Sequence, residues 1–307
     1  MTVPDTRVLG CDPAGIAEAA ALIAAGQPVG VPTETVYGLA ADALEGEAVA
    51  RIYAAKGRPS FNPLIVHVPD LATAEAIGIF DELARGLVEA HWPGPLTLVV
   101  PLRPGATIAS LVTAGLSTVA LRVPAHPVMQ ALLRATARPL AAPSANASGR
   151  ISPTRAEHVL ASLGGRIPAV INGGPTQRGI ESTIVAATGG ELRLLRPGPI
   201  SVPGAISAAR GIEAPGQLAT HYAPAKPVRL EASRAEAGEW LIGFGPVAGD
   251  ATLSVSGDLV EAAANLFAAL HAADAESPPK IAVAPVPEQG LGIAINDRLR
   301  RAAADHG

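Results

Sequence analysis

Short apolar runs alternate along the chain with longer segments in which apolar residues recur every three or four positions. The short runs predict buried strands, and the longer segments predict helices. The predicted strands lie at 29–32, 64–68, 96–101, 118–123, 139–142, 169–172, 182–186 and 193–196. The predicted helices lie at 13–25, 46–55, 81–91, 126–135, 153–163 and 202–209. This alternation predicts an α/β fold with an open, twisted mixed sheet.

The pattern changes between residues 201 and 227, where prolines and glycines replace the periodic apolar residues. Such a composition is typical of a linker. Beyond it, a smaller alternation of strand, helix, strand and helix is predicted at 239–243, 259–272, 280–284 and 293–303. We therefore predict a first domain over residues 1–200, a linker over 201–227, and a smaller Rossmann-like α/β domain over 228–307.

The composition suits two packed domains in a reducing compartment. The 307 residues are 49% hydrophobic but only 3% aromatic, so aliphatic side chains must fill the cores. The formal net charge of -4 gives no general basic field for nucleic acid. Cys11 is the only cysteine, which excludes an intrachain disulfide and a multi-cysteine zinc site. No signal peptide and no run of about 18 apolar residues is recognisable, so we expect a cytoplasmic protein without membrane contact.

Cations gather on a stiff turn after the helix predicted at 46–55. Lys56 ends the apolar stripe of this helix, and Arg58 and Asn62 follow, each directly before a proline. Taken alone, Lys56 is better explained as a side chain whose stem packs on apolar surface while its amine reaches water. Convergent cations on a rigid loop nevertheless suit a polyphosphate, so both interpretations stay open at this point.

Four other polar loops adjoin predicted strands. They are 32–39, 143–150, 179–183 and 196–199, all rich in small, hydroxyl or charged residues braced by proline or glycine. Each alone is also explained as an ordinary turn or capping loop, with Ser152 a good N-cap for the helix predicted at 153. A Walker A phosphate loop is excluded, because Ile180-Glu181 replaces its lysine and hydroxyl after Gly179. Ligands of open α/β sheets gather at strand ends, so the five loops together predict one shared site.

Six motifs in order resemble the YrdC-type threonylcarbamoyl-AMP synthases in their long, two-domain form. The resemblance covers roughly residues 10 to 200, and His221-Tyr222-Ala223-Pro224 extends it into the linker and second domain. The motifs are Thr33-Glu34-Thr35-Val36-Tyr37-Gly38-Leu39, Lys56-Gly57-Arg58-Pro59 with Asn62-Pro63-Leu64, Trp92-Pro93-Gly94-Pro95-Leu96-Thr97, Pro143-Ser144-Ala145-Asn146, Glu181-Ser182-Thr183 and Leu195-Arg196-Pro197-Gly198.

The resemblance implies a YrdC-like catalytic domain and a nucleotidyltransferase that makes threonylcarbamoyl-AMP and diphosphate from L-threonine, bicarbonate or CO₂, and ATP. Mg²⁺ would accompany ATP, with no protein side chain assigned to it. The product would supply a tRNA adenosine modification through a separate transferase. The matching residues are Lys56 and Arg58 as catalytic cations, Arg58, Asn62, Thr118, Ser144, Ser152, Arg196 and Tyr222 at ATP, and Thr35, His67, Arg122, Ala142 and Ser182 at L-threonine.

The linker departs from the family pattern at one point. The family usually has Pro-Gly-Met and basic residues before His-Tyr-Ala-Pro, whereas Gln217-Leu218-Ala219-Thr220 follows Pro215-Gly216 here. The closing role that the resemblance gives to Tyr222 survives this change, but basic help from the linker does not. We expect residues 200–227 to close over the nucleotide.

Two other functions compete with this interpretation. A carbamoyl-adenylate-forming module of hydrogenase maturation shares the domain, but such proteins are longer and carry cysteine-rich zinc segments, whereas this chain has one cysteine. A non-catalytic RNA-binding module would need a basic groove and stacking rings, which the net charge and the scarcity of aromatic residues disfavour.

Overall fold

The computed structural model describes residues 5–59, 61–206, 213–215 and 221–304. Strands β1 to β10 are Arg7–Leu9, Val29–Val31, Gly38–Asp42, Ile65–His67, Leu96–Pro101, Thr118–Arg122, Leu140–Ala141, Ala169–Ile171, Thr183–Thr188 and Glu191–Arg196. Helices α1 to α7 are Pro13–Ala24, Gly46–Lys56, Leu71–Ile77, Glu82–His91, Ser110–Thr113, Pro127–Thr136 and Ala156–Leu163.

These ten strands form one mixed sheet in the order β1-β8-β2-β3-β7-β4-β6-β5-β9-β10. β4 runs parallel to β6, and β5 runs parallel to β9, whereas β7 is antiparallel to both β3 and β4. The parallel register pairs Ile65 with Ala120 and His67 with Arg122. Because side chains alternate between the faces of a sheet, these four residues lie on one face. The pairing therefore brings two predicted site residues together.

Alternation also divides the apolar residues of the central strands between two clusters. Val66 and Leu121 belong to the large core that packs beneath the helices. Ile65 and Ala120 belong to a smaller cluster on the opposite face, which Ala214 of the linker completes. The linker thus packs directly on the sheet face that carries His67 and Arg122.

A second sheet follows the linker. Strands β11 to β14 are Val228–Arg229, Glu239–Gly243, Ala251–Thr252 and Lys280–Val283, and helices α8 and α9 are Leu259–Ala275 and Leu291–Ala303. The strands are all parallel, in the order β11-β14-β12-β13. The core of this domain also includes Val36, Ile151 and Ile180 from the first domain and Tyr222 from the linker. The apolar core of the second domain therefore extends into the first domain.

The structure confirms the predicted mixed α/β fold with a second, smaller parallel sheet. The helix predicted at 153–163 begins only at Ala156, and Ser152 does not cap it, because its hydroxyl donates to Glu181 instead. Residues 202–206 are not helical, and the rest of the helix predicted at 202–209 lies outside the described residues. The segment predicted as a polar loop at 32–39 runs into β3.

Candidate functional site

A cleft lies where the ends of several strands and loops of the first domain meet the linker. It is bounded by the carboxyl ends of β4, β6 and β10, the start of β9, and the loops after β2 and β7. The lining contains these predicted site residues: Thr35, Arg58, His67, Arg122, Ala142, Ser144, Ser182, Arg196 and Tyr222. Residues from distant parts of the sequence thus converge as the strand-end argument predicts.

Arg122 is a cation of the cleft that three different residues hold. Its Nη1 donates to Thr35 Oγ1 at 3.0 Å, its Nη2 to Glu34 Oε1 at 2.6 Å, and its Nε to the carbonyl of Gly94 at 3.2 Å. Burial by itself raises the pKa of Glu34, but the charge and hydrogen bond of Arg122 outweigh it and lower that pKa. The guanidinium is therefore held firmly in one orientation by a carboxylate and two oxygen acceptors.

His67 lies beside Arg122 in the parallel register and is only 2% exposed. Burial, followed by the nearby Arg122 charge, lowers its pKa to about 3. The imidazole is therefore neutral near pH 7, and its buried Nδ1 has no hydrogen-bond partner within the part of the chain that the structure describes. A neutral imidazole with an unpaired nitrogen is suited to a hydroxyl or amine of a small ligand.

A second arginine and a hydroxyl pair close the same end of the cleft. Arg196, at the end of β10, donates from Nη2 to Ser182 Oγ at 3.1 Å and from Nε to the Ser182 carbonyl at 3.0 Å. Ser182 Oγ also shares a hydrogen bond with the hydroxyl of Thr97, at 2.7 Å. Burial lowers the pKa of Arg196, so an anion that reached it would meet a poorly solvated charge.

The loop after α2 is organised by its own backbone carbonyls. Arg58 donates from Nε to the Asn62 carbonyl at 3.2 Å and from Nη2 to the Pro63 carbonyl at 2.9 Å. Burial lowers the pKa of Arg58 to about 10, which leaves it charged near pH 7. Gly57 has φ of 60° and ends α2, so the chain turns at once toward these carbonyls.

Lys56 is buried behind the cleft and does not line it. Its Nζ donates to the carbonyl oxygens of Ser144 and Asn146, and so braces the 143–146 loop. Burial, followed by the Arg58 charge, lowers the pKa of Lys56 well below its ordinary value. The interpretation of Lys56 as a solvent-reaching side chain is therefore wrong, whereas its assignment as a phosphate-facing cation stays a prediction.

Asn62, Thr118 and Ser152 also lie outside the lining of the cleft. Asn62 is 1% exposed, and both atoms of its side-chain amide lack partners among the described residues. Ser152 is fully buried and donates to Glu181 Oε1. Thr118 begins β6 and is about 13 Å along the strand from Arg122. Their assignment to the ATP site stays a prediction.

The linker covers the cleft with His221 and Tyr222. Tyr222 is 1% exposed, has φ of 64°, and has a hydroxyl without a partner within the described ranges. The His221 Nδ1 accepts from the Tyr222 backbone N–H at 3.0 Å. Burial, followed by the charges of Arg58 and Lys56, lowers the pKa of His221 well below its ordinary value. A neutral ring is thus tolerated directly beside the cations.

Several functional neighbours were not predicted from the sequence. Glu34 and Glu181 lie inside recognised motifs but were not assigned to the site, and His221, Pro215 and Arg298 were not assigned either. For Glu34 and Glu181, the only signal in the sequence was that each is a carboxylate within a small polar loop. Its partner is an arginine 88 residues away for Glu34 and 117 residues away for Glu181, which no local pattern reveals.

Within the ranges that the structure describes, no group of three or more His, Cys, Asp or Glu residues could hold a metal ion. Over the same ranges, no helix is both long enough and apolar enough to cross a membrane. The polar groups that meet in the cleft are arginines, hydroxyls, backbone carbonyls, the Glu181 carboxylate and the neutral imidazoles of His67 and His221.

Fold and cleft together define a two-domain α/β protein with an enclosed, arginine-lined cleft for small anionic ligands. A family model described as "Telomere recombination" matches residues 21–198, and one described as "Threonylcarbamoyl-AMP synthase, C-terminal domain" matches residues 179–304. The chain belongs to the threonylcarbamoyl-AMP synthase family.

Three matches, to two sequences and one crystal structure, support this assignment over nearly the whole length. The chain is 41% identical to the threonylcarbamoyl-AMP synthase of Bacillus subtilis, over 94% of this chain and 92% of that protein. It is 39% identical to that of Pyrococcus abyssi, over 93% of each chain. The crystal structure of P. abyssi Sua5 complexed with L-threonine superposes with a TM-score of 0.89 at 36% identity, over 97% of this chain and 98% of that chain.

Proposed function

We propose that this protein is an L-threonylcarbamoyladenylate synthase, which converts L-threonine, bicarbonate or CO₂, and ATP into threonylcarbamoyl-AMP and diphosphate. The observation that carries the proposal is the arrangement of the cleft. A small polar subsite at Thr35, His67 and Arg122 lies beside a second group of cations at Arg58 and Arg196. An amino acid and a nucleoside triphosphate could therefore be held next to each other.

The first subsite suits L-threonine. Arg122 presents a guanidinium whose planar fork matches a carboxylate, and Glu34 fixes its orientation. The neutral His67 and the hydroxyls of Thr35 and Ser182 offer partners for the threonine hydroxyl and amine. The complex of the P. abyssi relative with L-threonine supports this assignment.

The reaction needs charge screening more than it needs a covalent enzyme nucleophile. The threonine nitrogen forms a bond to the carbon of CO₂ and loses a proton, which gives a carbamate. A carbamate oxygen then attacks the α-phosphorus of ATP, and the bond from that phosphorus to the bridging oxygen of diphosphate breaks. Arg58 and Arg196 would stabilise the negative charge that accumulates between the two anions. The incoming polyphosphate would also favour the charged form of the buried Lys56.

Mg²⁺ would enter as part of the ATP substrate. Of the residues that the structure describes, Glu181 supplies the carboxylate that lines the cleft, and its two oxygens already accept hydrogen bonds from Ser152 and Arg298. The triphosphate oxygens would therefore be the principal ligands of the ion, with the arginines holding the phosphates around it. The product would pass to a separate transferase that modifies a tRNA adenosine.

One assay tests the proposal. Purified protein is incubated with MgATP, bicarbonate and L-threonine, and diphosphate release is followed. We expect release that depends on threonine and that falls in Arg58→Ala and Lys56→Ala, because loss of one preorganised cation costs about 2–4 kcal/mol of transition-state stabilisation. Arg134→Ala, on the exposed surface of α6, is the matched control and should retain activity.

The assay also separates the proposal from its rivals. Release driven equally by carbamoyl phosphate would indicate the carbamoyl-adenylate chemistry of hydrogenase maturation. Absence of release together with tight RNA binding would indicate a binding module. Either result would refute the synthase function.

A further inference from the structure

Arg298 of α9 is a buried cation of the second domain that contacts the first domain. Its side chain is 0% exposed. Arginine is seldom fully buried, because removal of its charge from water is costly unless acceptors surround it. The acceptors of Arg298 therefore show which parts of the first domain this cation holds.

Two of these acceptors lie on the segments that flank the cleft. Arg298 Nε donates to Glu181 Oε2 at 3.1 Å, and Nη1 donates to the carbonyl of Pro197 at 2.5 Å. Glu181 and Pro197 are the chain neighbours of Ser182 and Arg196, which contact each other inside the cleft. The guanidinium of Arg298 thus binds the chain neighbour of each of the two residues that make that contact.

Two more contacts lead to residues on the predicted nucleotide side. The other oxygen of Glu181 accepts a hydrogen bond from the buried Ser152. The guanidinium carbon of Arg298 lies 5.5 Å from the ring centroid of Tyr222, within the range of a cation–π contact. Tyr222 has a positive φ, which a non-glycine residue keeps only where its surroundings hold it.

The contacts of Arg298 favour the nucleotide side over the threonine side. Ser182 Oγ has a second partner in Thr97, at 2.7 Å, and Arg122 is held by Glu34. Those anchors do not involve the second domain. By contrast, Arg298 contacts Tyr222 directly and reaches Ser152 through Glu181.

We propose that Arg298 is a positioning residue for the nucleotide: it fixes Glu181, the Pro197 carbonyl and Tyr222, and so makes the second domain a working part of the ATP site. The assignment of these residues to ATP rests on the proposed function. Arg298 acts through its neighbours and does not line the cleft itself. Its removal should therefore weaken ATP binding more than L-threonine binding.

Three variants test this role. Arg298→Met removes the charge at similar volume, and Arg298→Lys keeps a buried cation that pairs with Glu181 but does not also reach Pro197. Arg300→Met is the matched control, because Arg300 lies on the same helix and pairs with Glu288 at the surface. For each protein, calorimetry gives the Kd for ATP and for L-threonine, kinetics give kcat and both KM values, and thermal unfolding gives Tm.

We expect Arg298→Met to raise the Kd and KM for ATP about tenfold, while the values for L-threonine change less than about twofold. Arg298→Lys should give a smaller rise in the same direction, and Arg300→Met should match the unmodified protein. A purely structural role would lower Tm and the folded fraction. It would then reduce kcat and leave both KM values unchanged.

An unchanged Kd for ATP in Arg298→Met, or an equal loss of both substrates, would overturn the proposal. If Arg298→Met does not fold, Arg298→Lys decides, and no preferential loss of ATP there has the same consequence. The binding measurements do not depend on turnover. An unmodified protein that binds ATP but releases no threonine-dependent diphosphate would refute the proposed synthase and leave this comparison interpretable.

Discussion

At the scale of single residues, the cleft combines buried charges with short, stiff loops that hold hydroxyl groups. Arg122 is oriented by Glu34 and Thr35, and Arg196 is oriented by Ser182. Because each cation already has oxygen acceptors, none bears its desolvation cost alone. The site is thus organised before any ligand binds, which is the arrangement that electrostatic stabilisation requires.

His67 makes the stability of the protein depend on pH. Its pKa is about 3 in the folded protein, against about 6.5 for an unperturbed histidine. Below pH 6.5 the unfolded chain takes up a proton that the folded protein does not, so stability falls as the pH is lowered toward 3. Between pH 7 and 5, this one group should reduce the free energy of unfolding by about 2 kcal/mol.

The measurement is urea unfolding at pH 7 and pH 5 of the unmodified protein and of His67→Gln. We expect His67→Gln to lose less stability between the two pH values, because it lacks the titrating group. His91→Gln, in the last turn of α4, is the control and should keep the full dependence. Equal pH dependence in all three proteins would contradict the prediction.

The sequence identified many of these residues because they lie in contiguous motifs. Lys56, Arg58 and Asn62 share one loop, and their types alone predicted that cations and an amide would be placed together. The sequence did not reveal which atoms they contact. Lys56 Nζ binds two backbone carbonyls of a loop some 90 residues away. Because every residue has a backbone carbonyl, the residue types in that loop could not predict these two hydrogen bonds.

At the scale of elements, the end of α2 decides where the Arg58 loop begins. Gly57 has φ of 60°, and a Cβ placed there would meet no atom within 4 Å. Replacement by alanine therefore brings no clash, only the backbone cost of a left-handed conformation. We expect Gly57→Ala to lower the free energy of unfolding by about 1 kcal/mol.

Gly86 in α4 provides the opposite case. It lies inside a helix without a positive φ, and a Cβ there also meets nothing within 4 Å. Gly86→Ala should therefore raise the free energy of unfolding by about 0.5–1 kcal/mol, since alanine has the higher helix propensity. Urea unfolding of both variants checks the pair, and effects of equal sign would contradict this explanation.

The linker is anchored to the first domain by an ion pair. Arg193 of β10 donates from both terminal nitrogens to the carboxylate of Glu213, at 2.7 Å and 2.6 Å. Ala214 follows and is buried in the apolar cluster on the sheet, and Pro215 lines the cleft. This anchor supports the prediction that the linker closes over the nucleotide.

Loss of this anchor should expose the linker to proteases. We expect Arg193→Met to be cut faster between residues 200 and 227 than the unmodified protein, and ATP with L-threonine to slow the cutting in both. Arg85→Met, which removes a surface ion pair with Glu75, is the control. The anchor would be refuted by equal cutting rates in all three proteins, and closure by rates that the substrates do not change.

Local pattern was least informative where tertiary contacts override it. Ser152 reads as an N-cap, yet its hydroxyl is used by Glu181, and α7 begins three residues later than predicted. The sequence predicts a polar loop that ends at Leu39 and no strand over Gly38–Asp42, because the apolar residues of β3 follow a polar motif without a break. In the sheet it pairs with β2 on one side and β7 on the other, which makes it a buried strand.

At the scale of the whole molecule, the two sheets are joined by a shared apolar core. Val36, Ile151 and Ile180 of the first domain pack in the same cluster as Phe267 of α8, with Tyr222 between them. The ion pair between Arg298 and Glu181 crosses the same boundary. A continuous core of this kind should make the two domains unfold together.

The two tryptophans of the chain test this cooperativity. Trp92 lies in the first domain and Trp240 in β12 of the second. We expect Trp240→Phe, which leaves Trp92 as the reporter, and Trp92→Phe, which leaves Trp240, to give fluorescence midpoints that each match that variant's own circular-dichroism midpoint. Within either variant, separate midpoints for the two signals would show that the domains unfold independently.

The sequence by itself determined the fold class, the presence of two sheets, and the motifs whose residues line the cleft. These features depend on residues that are close in sequence, because periodicity, strand-end loops and residue chemistry can each be recognised within a contiguous segment. Only the tertiary structure decided that Lys56 braces a loop behind the cleft, that Glu34 and Glu181 hold the arginines, and that Arg298 brings the second domain to the site. The physical reason is that the role of a buried charge depends on the group that it pairs with. These partners are distant in sequence and meet only when the chain folds and both domains pack.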